Sequence, residues 1–96
     1  MTIAYNPVSL FLQPVDDFGM DVGDALNTLN DALICVGVGD KIRDPRYVSP
    51  DVDAHLSGEW TVQERVFSEN NGTICYTDHA PTLLVSRNLT IYIRQL

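Results

Sequence analysis

Hydrophobic residues recur along this chain with two different periods. Between Asp21 and Val36 (DVGDALNTLNDALICV), Val22, Ala25, Leu26, Leu29, Leu33 and Val36 fall at the i, i+3, i+4, i+7 intervals of one helical face. Asp24, Asn27 and Asp31 occupy the opposite side. The spacing predicts an amphipathic helix over 21–36, with its stripe against a sheet, its acids toward water and Gly37 as the stop. Asp17 or Asp21 is placed to accept from the free amides at its start.

Elsewhere the period is two. Ile3 to Gln13 reads as a first strand closed by Pro14, with Phe11 on the face opposite Leu10 and Leu12. Val15 to Met20 then forms a loop that flexes at Gly19. Glu59 to Ser68 alternates, with Trp60, Val62 and Val66 on one face and Thr61, Gln63, Arg65 and Phe67 on the other. Glu69-Asn70-Asn71-Gly72 signals a tight hairpin turn, since Asn-Gly suits the type I′ geometry, and Thr73 to Thr77 returns. Leu83 to Leu96 closes the chain, with Leu89, Ile91 and Ile93 alternating against Thr90, Tyr92 and Arg94 and a bend at Arg87-Asn88. Gly37 to Pro50 is read as a long irregular connection. Ser49-Pro50-Asp51 is read as the cap of a short helix over Asp51–Leu56, ended by Gly58. The expected fold class is α+β: one domain over residues 1–96, with a four- or five-stranded, mainly antiparallel sheet and a single amphipathic helix packed on one face.

Size and charge narrow the function classes. Ninety-six residues, 45% of them hydrophobic, suffice for one core. A large cofactor cavity would remove core that so small a domain needs, and no cofactor is expected. The net charge of −7 is unevenly placed: residues 1–40 hold six acids and no Lys or Arg, and residues 41–96 hold seven acids against six bases. Such a field attracts cationic partners and repels nucleic acid and anionic membrane. The start MTIAYNPVSL lacks a basic stretch followed by an apolar run, and no apolar segment reaches bilayer length, so a soluble cytoplasmic protein is expected. Cys35 and Cys75 are too few for a disulfide framework, and reduced buried thiols are the expectation. The triplets Asn71-Gly72-Thr73 and Asn88-Leu89-Thr90 read as turn chemistry rather than glycan acceptors.

Several clusters carry possible chemistry. Cys75, Asp78 and His79 combine a thiol, a carboxylate and an imidazole, but nucleophilic catalysis needs the imidazole within hydrogen-bond reach of the sulfur. A core cysteine beside a polar turn accounts for them as well. Asp51, Asp53 and His55 would bring two metal ligands together on a helix, without any paired spacing that completes a site, and no metal is expected. Gly37-Val38-Gly39-Asp40 lacks the third glycine of a dinucleotide loop and reads as a turn. Lys41, Arg43, Arg46 and Tyr47 form a weak basic cluster interrupted by Asp40 and Asp44. The strongest candidate site is the acidic set Asp16, Asp17, Asp21, Asp24 and Asp31, offered to a basic protein partner. The expected function is therefore a non-enzymatic acidic binding protein, of the inhibitor, immunity or phage anti-defence type by analogy of class alone. The alternative is a self-assembling ring or coat subunit that pairs through an edge strand at Leu89–Ile93.

Overall fold

The computed structural model describes residues 2–49, 51–70, 72–76 and 80–96. They form ten strands and one short 3₁₀ helix: β1 Thr2–Tyr5, β2 Ser9–Val15, β3 Leu26–Thr28, the 3₁₀ turn Asp31–Cys35, β4 Lys41–Arg43, β5 Arg46–Val48, β6 Asp53–His55, β7 Glu59–Glu69, β8 Thr73–Cys75, β9 Thr82–Val85 and β10 Arg87–Gln95. No α-helix occurs among the described residues, so the expected α+β class is corrected to an almost wholly β architecture.

The backbone of the molecule is a parallel spine. β1 runs beside β9, from Thr2↔Thr82 to Tyr5↔Val85, and β2 runs beside β10, from Ser9↔Asn88 to Val15↔Arg94. The register slips by one residue between the two stretches, where Asn6-Pro7-Val8 lies opposite Ser86-Arg87. Pro7 cannot donate to a ladder, which explains a break there. Arg87 Nε and Nη2 both donate to the Asn6 carbonyl (3.2 and 2.9 Å) and hold the joint. At roughly 3.3 Å per residue, residues 2–15 extend about 46 Å. The molecule accordingly measures 52 × 27 × 22 Å. Its radius of gyration of 15.9 Å exceeds the roughly 12.5 Å of a compact chain this long.

Two sheets share the spine. The larger has the order β3-β2-β10-β7-β4 and carries the core, and the smaller, β1-β9-β8, forms an arm at the other end. β5 and β6 make a separate hairpin. The core gathers Leu10 and Leu12 of β2, Ile42 of β4, Trp60 and Val62 of β7, and Leu89, Ile91 and Ile93 of β10 on one face, with Leu33 of the 3₁₀ turn laid over them. Leu12, Ile91 and Ile93 are fully buried. The alternation expected for β2 and β10 is therefore present, except that Pro14 stays inside β2 and pairs with Ile93. Asn88 and Thr90 lie in β10, not in a turn.

The helix expected over 21–36 is replaced by three local structures. Gly23 takes φ +76°, Leu26–Thr28 pairs antiparallel with Leu10–Leu12, and Asn30 caps the 3₁₀ turn by accepting from Ala32 N at 3.2 Å. Gly23, Asn27, Thr28, Asn30 and Asp31 are all poor helix formers, and their short side chains compete for the backbone. Thr28 shows the outcome: it is 2% exposed, donates to the Arg46 carbonyl at 2.6 Å and accepts from Asn30 N at 3.2 Å. Of the presumed stripe, Leu33 is buried, whereas Val22 and Leu29 are exposed.

Three further expectations change. The stretch 37–50 is not a structureless connection, because it supplies β4 and β5. Ser49 does not begin a helix: its hydroxyl accepts from Val52 N and donates to Val52 O, and strand β6 follows; Pro50 of the expected cap lies outside the described residues. β7 is a strand as expected, but among the described residues it pairs with β10 and β4, whereas β8 pairs with β9; Asn71 of the expected hairpin turn lies outside the described residues. Within β7 a bulge lies opposite Tyr92/Ile93. Val62 faces Ile93, while Arg65 and Phe67 come opposite Ile91 and Leu89. The extra residue reverses the alternation and separates Val66 from Trp60 and Val62.

Candidate functional site

β2 ends in the expected loop, and hydrogen bonds close it. Asp16 N donates to Met20 O (2.9 Å), Gly19 N to Asp16 O (3.0 Å) and Val22 N to Pro14 O (2.9 Å), and Val15 bridges antiparallel to Asp21. These bonds close a three-residue hairpin loop, Asp17-Phe18-Gly19, with Gly19 at φ +77° in the left-handed position such a loop needs. The Asp16 carboxylate accepts from both Phe18 N and Met20 N at 2.9 Å, satisfying the amides at the tip from inside the turn. The 6%-exposed Gln13 donates through Nε2 to the carbonyls of Pro14 (3.0 Å) and Gly23 (3.1 Å), pinning the returning strand.

This hydrogen-bonded tip presents apolar side chains to water. Phe18 is 90% exposed, Met20 66% and Val22 54%. Asp17, Asp21 and Asp24 surround them in sequence and are all exposed. Asp17 lies 3.3 Å from Arg94, an ion pair with an 82%-exposed carboxylate that contributes little to stability. Pro14, Val15, Val22, Trp60, Arg94 and Gln95 border a cleft of about 270 Å³ at the foot of the tip.

The acidic set is therefore rearranged. Asp16, Asp17, Asp21 and Asp24 come together on one hairpin end, but Asp16 is committed to the turn. Asp31 opens the 3₁₀ turn and lines a different cleft with Pro7, Ser9, Asn27 and Leu29. The acids do not lie along one side of a helix, and the helical basis for grouping all five is withdrawn. Sequence reasoning missed Phe18 and Met20, although Asp16-Asp17-Phe18-Gly19 has the Asp and Gly that favour the ends of a type I turn.

The other clusters fare differently. Asp78 and His79 of the Cys75 cluster lie outside the described residues. Cys35 is exposed rather than buried, Cys75 is half-buried, and both are free thiols. Asp53 and His55 sit in a strand, and Asp53 pairs with Arg46. No group of three or more metal-binding side chains occurs among the described residues. Gly37-Val38-Gly39-Asp40 is a turn, in which Asp40 Oδ2 accepts from Gly37 N at 2.8 Å. Arg43 pairs with Glu59 instead of joining Arg46 in a basic patch. No helix among the described residues is long and apolar enough to cross a membrane. Leu89–Ile93, expected at a sheet edge, is central, with β2 on one side and β7 on the other.

No protein-family model matches this chain, and no curated protein or solved structure does either.

Proposed function

We propose that this protein is a non-enzymatic binding protein that inserts its β2 hairpin tip into an apolar socket bordered by basic residues on a partner protein. The observation that carries this reading is Phe18, 90% exposed at the end of a turn whose amides are held by Asp16. A large aromatic ring left in water on a hydrogen-bonded support has lost most of its ordering entropy before binding, and interface hot spots favour such aromatic anchors. The exposed carboxylates of Asp17, Asp21 and Asp24, within six residues of Phe18 in sequence, steer the tip toward positive charge, which raises association rate more than affinity. The occupied surface of the partner is then blocked, which is how an inhibitor or immunity protein acts.

The test is affinity capture from host lysate with the wild-type protein and two variants, Phe18→Ala and the double charge reversal Asp17→Lys/Asp24→Lys. One stoichiometric basic protein is expected on the wild type. Phe18→Ala should weaken its binding by about 2 kcal/mol or more, roughly thirtyfold. The charge reversal should slow association chiefly at low salt. Equal capture and equal rates on all three, with thermal unfolding unchanged, would refute the proposal.

A further inference from the structure

The arm has a different surface, and its edges contrast with those of the larger sheet. Exposed strand edges pair with other chains unless charge, proline or a covering segment prevents it. On the larger sheet, β4 is guarded by Lys41 and Arg43, both exposed, and Thr28 of β3 bonds to Arg46 of the neighbouring hairpin. β1, at the arm's edge, reads Thr2-Ile3-Ala4-Tyr5 and has no charge, proline or glycine. Thr2 N and Asn6 N donate inward, to Pro81 O and Val85 O. By the alternation of a strand, the amide and carbonyl groups of Ile3 and Tyr5 point outward. Ile3 and Tyr5 are each 56% exposed, and the row Ile3–Leu83–Ile74 crosses all three strands on one face. Arg87 stacks on the Tyr5 ring at 5.1 Å and holds it in place.

We propose that β1 pairs antiparallel with β1 of a second copy of this chain, joining two arms into one continuous six-stranded sheet. Two features of the chain select a second copy as the occupant. The first is self-complementarity. With the twofold axis at Ala4, Ile3 meets the partner's Tyr5 and Tyr5 meets the partner's Ile3 as hydrogen-bonded pairs. An aromatic side chain then packs on a β-branched one at both positions. Ala4 meets the partner's Ala4 as the close, non-hydrogen-bonded pair, where a small side chain suits a Cα separation of about 4.5 Å.

The second feature is charge. Residues 9–69 and 87–96, which build the body, hold twelve acids against six bases, a balance of −6. The strands of the arm, β1, β8 and β9, carry no charged residue. Two such acidic bodies repel wherever they touch. Joined arm to arm, they lie at opposite ends of a particle made of two 52 Å lengths, many Debye lengths apart. This pairing uses none of the β2 hairpin tip and is independent of the function proposed for it.

The experiment uses the full chain. A four-residue edge makes a small interface, so sedimentation is measured up to about 100 μM. The wild type should reach twice its 10.7 kDa mass, and Ile3→Lys should raise the dissociation constant at least about tenfold without changing thermal unfolding. Register is tested in a Cys35→Ser/Cys75→Ser background. Ala4→Cys should form an intermolecular disulfide rapidly under mild oxidation, because the axis places both copies of residue 4 within bonding range. Thr2→Cys should not, since the two copies of residue 2 would lie about 14 Å apart. A wild type monomeric at 100 μM overturns the proposal. So does dimerisation that persists in Ile3→Lys, or cross-linking at residue 2 in place of residue 4.

Discussion

Thr28 and Leu29 exchange importance between a helical and a strand reading of residues 21–36, so a pair of substitutions there measures the fold directly. On a helical stripe Leu29 would be core, and its truncation to Ala would cost about 2–5 kcal/mol. In the structure Leu29 is 76% exposed, and Leu29→Ala should stay within about 0.5 kcal/mol. Thr28 is 2% exposed, and its hydroxyl bonds both the Arg46 carbonyl and the Asn30 amide. Thr28→Val keeps the shape and the strand preference but removes both bonds. Asn30 is exposed, so water replaces one of them, while the bond to Arg46 joins β3 to the β5–β6 hairpin. At about 0.5–1.5 kcal/mol per hydrogen bond, with a further cost for a carbonyl left unpaired, the loss should be about 1–2 kcal/mol. Trp60, 8% exposed and the sole tryptophan, reports unfolding through its fluorescence. With a urea slope near 1 kcal/mol/M, Thr28→Val should lower the midpoint by about 1–2 M and Leu29→Ala by less than about 0.5 M. A larger loss at Leu29 than at Thr28 would refute the strand assignment.

Two further outcomes test the arm and the thiols. A Cβ at Gly72 would lie 2.0 Å from the Leu84 carbonyl oxygen, and the residue has φ +84°. Gly72→Ala should therefore cost about 2 kcal/mol or more, and hydrogen exchange should show lost protection at Thr73–Cys75 and Thr82–Val85 while Ile91 stays protected. Unchanged exchange across the arm would contradict the β8–β9 register. In a native thiol titration, the exposed Cys35 should react at once and the half-buried Cys75 more slowly, with both equal only after unfolding. Release of free thiol only after reduction would show the two cysteines joined.

Much of the β content is legible in the chain because its signal is local. Leu89, Ile91 and Ile93 alternate with polar neighbours, as do Trp60 and Val62, and period two is the geometry of a half-buried strand. The turn at Gly37–Asp40 is equally local, since Asp40 needs only its neighbour's amide. By contrast, the bulge in β7 has no local mark. Gln63 and Glu64 read as ordinary strand residues, and only pairing with β10 shows that one too many residues lies opposite Tyr92/Ile93.

The stretch 21–36 shows where tertiary structure decides. Its apolar spacing satisfies a helix, yet residues spaced three and four apart also appear by chance when short strand and turn segments follow one another. The weak helix propensity of Gly23, Asn27, Thr28 and Asn30 leaves the choice to whatever pairs with them. Leu10–Leu12 supplies that pairing, and β2 itself is fixed by a β10 lying about 80 residues away in sequence. The order of residues alone determined the net negative charge and its concentration before residue 41. The tertiary fold decided how those acids are used: a ladder closing Val15 onto Asp21 folds Asp16 inward as a brace and turns Phe18 outward. Local chemistry names the residues that prefer a turn. Only long-range hydrogen bonding determines which side chains that turn leaves in water.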